Sequence, residues 1–512
     1  MNSGQAISGL DLHVDLTGPR IRAALEGALR EAARTGRLQP GTRLPSSRTL
    51  AADLGIARNT VAEAYSQLVA EGWLTARQGS GTRIARQATS PMRTGAPAAS
   101  PPQAGTGAAT PPQARTGPRT ALAAGRTAQP PSRTAGPMSA HLSSMRYDLR
   151  SGSPDVTAFP RSAWLAAARR AIGAAPAVAF GYPDPAGRPE LRQALAGYLS
   201  RARGAQVTAN RVVTCAGFSH GLAILCEVLR QRGAAELAVE ECGLAAHRDI
   251  VTGAGLRLVN LPVGDDGAQT AQLSGTSAGA ALLTPAHQFP LGMPLAAKRR
   301  ADAVAWAAAT GGTVIEDDYD GEYRYDRQPL GAMQSLAPEH VVYAGTASKA
   351  LAPGLRLGWL AVPASLMAEV VSTRTLTQRA PSTLDQLTLA EFINAGGYDR
   401  HVRRSRIAYR RRRDLLAAAL REQVPSAAVS GVAAGLHMVV TLPTGQQETE
   451  AVASAARRGL AVQGLGPYSF QGSRPPALVV GYGTPPQHAF TGAVARLCAA
   501  LADREATVPD QG

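Results

Sequence analysis

Lysine is almost absent from this 512-residue chain: 51 of its 53 cationic side chains are arginine, and the two lysines are Lys298 and Lys349. Any chemistry that needs an amine nucleophile therefore has only two addresses. Cysteine is nearly as scarce. Cys215, Cys226, Cys242 and Cys498 form no C-x-x-C pair and have no histidine cluster beside them, which argues against a disulfide framework or a cysteine-held zinc. No run of 18 apolar residues occurs, so no membrane-spanning helix is expected. Met1 to Leu10 lack the basic flank and apolar run of a secretory signal. The expectation is a cytoplasmic protein with no membrane partner. Acidic residues are missing altogether between Gly72 and Tyr147.

What is present divides into three zones. The net charge of +16 suggests a polyanionic partner, although arginine richness with so little lysine also follows from GC-rich coding. Its distribution is more telling, because residues 1–147 hold 17 arginines against 7 acids. Residues 87–146 are Pro, Ala, Gly, Thr, Ser and Arg without apolar period, which predicts an extended, semi-flexible linker. Before it, residues 18–86 form one compact unit. After it, residues 147–512 alternate strand-like runs with amphipathic stretches, the pattern of α/β layering around a mainly parallel sheet.

In the first unit, Ile21, Leu25, Leu29 and Ala32 recur at helical spacing. Ser46 is placed to cap a short helix ending at Leu54, and Gly55 makes a tight turn. A third helix from Arg58 sets Val61, Ala64, Tyr65 and Leu68 on one face. Two short strands then flank Gln78-Gly79-Ser80-Gly81. Helix, turn, helix and a two-stranded wing form a DNA-reading geometry, with the second helix of the motif in the major groove. Arg48 stands on the first of those helices; Arg58, Asn59 and Thr60 occupy the first turn of the second, within reach of base edges. The turn of Gly79, Ser80 and Gly81, with Arg77 beside it, lets backbone approach phosphates or the minor groove.

In the third unit, Lys298 lies on the polar face of an amphipathic stretch and reads as solvated. Lys349 is different: it follows Thr346 and Ser348 at the end of the apolar run Val341-Val342-Tyr343, with Arg356 seven residues on. This suits a phosphorylated aldehyde cofactor, the amine forming an imine while hydroxyls and a guanidinium hold the phosphate. Such a cofactor needs an acid against its pyridine nitrogen. Asp317, in Glu316-Asp317-Asp318-Tyr319-Asp320, supplies it, and Tyr319 would bond the phenolic oxygen. Clustered carboxylates also suit a metal, but no histidine accompanies them in sequence, so no metal is expected. Gly217 and Phe218 break a strand into a helix whose free N–H groups suit phosphate.

The stretches Leu44-Pro45-Ser46-Ser47-Arg48, Leu54-Gly55-Ile56-Ala57-Arg58-Asn59-Thr60-Val61 and Gly79-Ser80-Gly81-Thr82 strongly resemble the winged helix of GntR-type bacterial regulators. Ala57 departs from it: the family usually has Ser or Thr there as recognition-helix cap, a loss of ~1 kcal/mol. The third unit resembles a fold-type I, aminotransferase class I/II module: a mainly parallel large domain and a small C-terminal α+β domain. Its motifs are Thr284-Pro285-Ala286-His287-Gln288-Phe289-Pro290 and the segment from Tyr343 to Gly358. Together they make the chain similar to MocR/GabR-type transcriptional regulators. That resemblance implies pyridoxal 5'-phosphate on Lys349, double-stranded operator DNA as partner, and a head-to-tail homodimer. Each winged helix would rest on the partner's body, with Tyr182 reaching the partner's phosphate. Two departures weigh against turnover. Phe289 replaces an asparagine of the aminotransferases, and Ala477-Leu478-Val479-Val480-Gly481-Tyr482 lacks their substrate-carboxylate arginine, Arg474 being nearest. Sensing of pyridoxal phosphate itself, or of an amine or amino acid, is expected rather than catalysis; the alternative is an aminotransferase with an appended DNA-binding domain. Finally, Arg400, Arg403, Arg404, Arg406, Arg410 and Arg413 read as a solvated or dimer-facing helix, or as a second DNA surface.

Overall fold

A computed structural model describes residues 5–6, 13–14, 21–34, 38, 41–70, 73–77, 81–85, 145–325, 330–377, 380–470 and 474–502. The expected linker, but for its last two residues, lies outside them. So do Gly79 and Ser80 and the side chain of Arg77.

The N-terminal unit is built from α1 (Ile21–Arg34), α2 (Ser47–Leu54) and α3 (Arg58–Ala70), followed by β1 (Leu74–Arg77) and β2 (Gly81–Ile84). The hydroxyl of Ser46 accepts from the Thr49 N–H at 3.1 Å, capping α2, and Gly55 ends it with φ 61°. That left-handed residue is the turn of the helix-turn-helix. Leu25, Leu29, Ala32, Leu50, Val61, Ala64, Tyr65 and Leu68 are buried together with Trp73 and Ile84, while Ile21 is only half-buried at the open end of α1. β1 and β2 pair antiparallel, Leu74 opposite Ile84 and Arg77 opposite Gly81.

The body carries a seven-stranded sheet of β3 (Val212–Cys215), β4 (Glu236–Glu240), β5 (Arg257–Leu261), β6 (Ala280–Leu283), β7 (Thr313–Asp317), β8 (Val341–Thr346) and β9 (Gly358–Ala361), in spatial order β3-β9-β8-β7-β6-β4-β5. All pairings are parallel except those of β9 with its two neighbours. Helices cover both faces, and for that reason β3, β6, β7, β8 and β9 are buried along their whole length. Register brings the ends of different strands to one place: Thr346 opposes Gly358, Gly358 opposes Cys215, and Asp317 opposes Ala344. Ligands in such sheets bind beyond the carboxyl ends of the strands.

The 27-residue α5 (Gly397–Gln423) leads to a four-stranded antiparallel sheet of β10 (Ala428–Ser430), β11 (His437–Thr441), β12 (Gln463–Gly464) and β13 (Ala477–Gly481). The arginine-rich run is therefore helical, but its members differ. Arg412 is buried against Asp155 at 2.8 Å and Arg406 donates to the Glu322 carbonyl, while Arg400, Arg403, Arg404 and Arg410 are exposed. No described helix is long and apolar enough to cross a membrane. Within the chain, the winged-helix core touches its own body at Leu336.

Candidate functional site

A cavity of about 410 Å³ opens where β3, β7 and β8 end. β8 hands over to a four-residue helix, Ala347–Ala350, which Thr346 caps by accepting the Ser348 N–H at 3.2 Å. That turn aims Lys349 into the cavity, where its ammonium donates to the Gly152 carbonyl. Burial lowers the pKa of Lys349; the carboxyls of Asp317 and Asp320 oppose the shift.

β7 ends in Asp317. Four carboxylates lie within residues 316–320, and only this one lines the cavity. Its neighbours are committed elsewhere: Glu316 accepts the N–H groups of Met333 and Gln334 at 2.7 and 2.8 Å, and Asp318 takes a two-pronged bond from buried Arg203 at 2.6 and 2.9 Å plus the Tyr343 hydroxyl at 2.7 Å. Asp317 Oδ1 is buried without any hydrogen-bond partner. Burial pushes its carboxyl well above the usual carboxylate range, against the pull of Lys349. An orphaned carboxyl oxygen of this kind costs ~1–3 kcal/mol, which a bound donor would recover.

The far end of the cavity is built for an anion. Gly217, with φ 88°, starts α4 (Phe218–Gln231), the helix after β3, without a side-chain cap, so its first N–H groups face the cavity beside Ser219. Arg356 has φ 50°, the one positive value outside glycine among the described residues, and its guanidinium lies beside Gly217. Backbone strain of that sort persists where surrounding structure enforces it, often at functional sites. Thr346, Ser348, Gly217, Phe218, Arg356, Asp317, Tyr319 and Lys349 thus share one cavity. Tyr182 is absent from it and fully exposed, and Lys298 pairs with Asp302 at the surface at 2.8 Å.

Several cavity groups escaped the sequence reading. Arg248 lines the wall, donating to the carbonyls of Glu241 and Tyr468 at 2.7 and 3.2 Å and lying over Phe470. It sits on the helix after β4, not on the late strand where the resemblance places a carboxylate-binding arginine. Arg474 is instead engaged with Glu241 and the Val263 carbonyl. His247, its pKa lowered to about 4 by burial, stacks near Phe218 with ring centres 4.8 Å apart. The premise that no histidine accompanies the carboxylates needs correction: His287 and His437, distant in sequence, meet Asp320 with ligand atoms within 4.8 Å of one another.

On the winged helix, Arg48, Arg58 and Asn59 are exposed and Thr60 half-exposed, all on or beside the helix-turn-helix. Gly81 has φ 80°, and a Cβ there would lie 3.1 Å from Nε of Arg43, an exposed arginine at the wing base that sequence pattern did not single out. Arg83 is partly spent on the Gly41 carbonyl at 2.9 Å.

The family model for bacterial regulatory proteins of the gntR family matches residues 21–84, and that for aminotransferase class I and II matches residues 146–473. The probable rhizopine catabolism regulatory protein MocR of Rhizobium meliloti is 32% identical over 398 residues, covering 76% of this chain and 75% of MocR. The chain belongs to the MocR-type HTH transcriptional regulators. Another relative of this MocR-type regulator is the pyridoxine biosynthesis transcriptional regulator PdxR of Corynebacterium glutamicum, 30% identical over 91% of this chain and 92% of PdxR. The body has the aminotransferase fold: an archaeal alanine:glyoxylate aminotransferase superposes with TM-score 0.64 at 21% identity, over 70% of this chain and 91% of the enzyme. Aminotransferases of classes I and II use pyridoxal phosphate, and the gntR-type winged helix binds DNA.

Proposed function

We propose that this MocR-type regulator holds pyridoxal phosphate at Lys349 and reads the state of that site out at operator DNA through the winged helix. The observation that carries the reading is the orphaned, buried Oδ1 of Asp317 in the same cavity as a lysine and an anion cradle. Bound there, pyridoxal phosphate supplies an aldehyde that combines reversibly with amines. Asp317 accepts the pyridine N–H, Tyr319 donates to the phenolic oxygen, and Phe289 stands edge-on to Tyr319 where a second polar contact would otherwise be. Ser348, Thr346, Arg356 and the N–H groups after Gly217 hold the phosphate. The effector is pyridoxal phosphate itself or an amine or amino acid, and Arg248 is the wall cation available to a carboxylate. Sensing, with little or no turnover, is the role.

Arg58, Asn59 and Thr60 read bases; Arg48, Arg77 and the Gly79-Ser80-Gly81 turn hold the backbone. Dimerisation would cover the exposed Val178, Phe180 and Tyr182, an apolar face of the kind that marks interaction surfaces, and would bring Tyr182 to the partner's pocket. A physical link between cavity and DNA reader runs through Glu316. It neighbours Asp317, and it pins the N–H groups that open the turn Met333–Leu336, whose last residue touches the winged-helix core.

The test is spectroscopic. Full-length protein with pyridoxal phosphate is expected to show an absorbance band near ~420 nm, a general property of lysine-bound cofactor. Lys349→Ala should lose the band and Lys298→Ala should keep it; a band that survives loss of Lys349 would sink the assignment.

A further inference from the structure

Tyr319 does not meet the cavity alone. Its hydroxyl lies 3.1 Å from Nδ1 of His287, and the same nitrogen lies 2.8 Å from Oδ2 of Asp320, with both the imidazole and the carboxylate buried. Gly435 backs the pair so closely that a Cβ there would stand 2.2 Å from His287 Cε1 and 2.6 Å from Asp320 Oδ2. On the other side His437 contacts the Pro290 carbonyl through Nε2 at 3.0 Å, its ring 5.2 Å from that of His287. His287 has little room to turn.

One nitrogen cannot serve both neighbours in the same way. If Nδ1 carries the ring proton, it donates to Asp320, and Tyr319 keeps its own proton for another acceptor, the Asp320 carboxylate or an oxygen in the cavity. If Nδ1 is bare, Tyr319 donates inward, and two acceptors, Nδ1 and the Asp320 carboxylate, face each other at hydrogen-bond distance. An ionised Asp320 therefore selects the first arrangement. Burial and the carboxyls of Asp320 and Asp317 push the Tyr319 phenol well above its usual pKa, which keeps the proton on its oxygen.

We propose that His287 and Asp320 are positioning residues: Asp320 locks the Nδ1–H tautomer of His287, so that the Tyr319 hydroxyl turns its proton toward a phenolate oxygen in the cavity. The inference rests on the pyridoxal phosphate reading of that cavity and adds what makes Tyr319 a donor there. Phe289, edge-on to Tyr319, gives the reason it matters, since its ring cannot share a polar contact to that oxygen. The three groups His287, Asp320 and His437 would also suit a divalent cation, but one nitrogen of each histidine already faces a protein oxygen.

Two measurements separate this inference from the reading beneath it. In apo-protein, ¹⁵N shifts of the histidine rings, assigned with His287→Phe, should show His287 protonated at Nδ1; a bare Nδ1 would overturn the proposal without reference to any cofactor. In the loaded chain, Asp320→Leu should weaken pyridoxal phosphate binding about tenfold, the worth of one misdirected hydrogen bond. His287→Phe/Asp320→Leu, which removes the competing acceptor as well, should restore it, and the melting temperature of each variant reports its fold. If Asp320→Leu does not fold, the tautomer and binding by His287→Phe, expected to stay within about twofold of wild type, decide the matter. Equal loss in the single and double variants would assign Asp320 a plain charge effect and overturn the proposal, as would one-to-one zinc binding abolished by His437→Ala. A wild-type chain without a cofactor band would instead sink the reading of the cavity.

Discussion

Gly358→Ala probes the anion end of the cavity without replacing any residue expected to contact the cofactor. A Cβ at position 358 would stand 2.9 Å from the Gly217 Cα and 3.0 Å from its carbonyl carbon, against 3.4 Å or more for an ordinary contact. The obstacle is buried backbone at the start of the helix after β3, so it cannot swing away as a side chain would. Gly217 must retreat by about half an ångström, and with it the first N–H groups of the helix that would hold the phosphate. Overpacking of this sort costs ~1–3 kcal/mol. Where the shift falls on the cradle rather than on the sheet, that cost is about 5- to 150-fold in the dissociation constant of pyridoxal phosphate. Titration of apo-protein by absorbance gives the constant, and the apo melting temperature shows how much of the cost was spent on the fold. Gly354→Ala, where a Cβ meets nothing within 4 Å, is the control and should leave binding unchanged. Gly358→Ala protein of wild-type affinity would refute the placement of the phosphate.

Arg58→Ala should weaken operator binding by ~1–3 kcal/mol and relax base preference, whereas Arg77→Ala should weaken binding to all sequences alike and flatten the salt dependence; competition against random duplex separates the two. Leu336→Asp should leave the cofactor band intact and shrink the difference in DNA affinity between apo and loaded protein, because it breaks the contact between body and winged-helix core. Glu240 tests the buried acids: burial raises its carboxyl to about 7 from 4.5. Its folded pKa lies above the unfolded one, so the stability it lends is present below about pH 4.5 and lost as pH rises through 7. Glu240→Gln should therefore gain on wild type by ~3 kcal/mol between pH 5 and pH 8. Parallel melting curves at the two pH values would contradict that.

The winged helix was legible because its signals are local. Ser46 caps, Gly55 turns, and Val61, Ala64, Tyr65 and Leu68 recur at helical period, so no distant contact is needed to place them. The cavity was legible in part, since Asp317 ends a strand and Lys349 and Gly217 each follow one within three residues, and strand ends in a parallel sheet share one edge. What escaped is what only tertiary pairing creates. His287 follows β6 and His437 opens β11, 150 residues apart in sequence, and nothing in either local pattern announces that they meet Asp320. Arg248 carries no such signal, because the aminotransferase pattern points to the late strand for a carboxylate partner, whereas the cavity takes its wall cation from the helix after β4. Within the acidic run at 316–320 the sequence already singles out Asp317, and alternation along the strand and the turn beyond it gives the reason, sending Glu316 and Asp318 into the interior and leaving Asp317 to the cavity.

A link between the Lys349 cavity and DNA is tested most directly by one comparison. A duplex selected from a random pool by the full-length chain is titrated with apo-protein and with pyridoxal phosphate-loaded protein at the same salt concentration. A coupling of ~1–3 kcal/mol predicts a change of about 5- to 150-fold in affinity, or a footprint of different length. Lys349→Ala should behave as apo-protein whether or not the cofactor is added. Identical affinities and footprints for apo and loaded wild type would contradict gating by the cofactor.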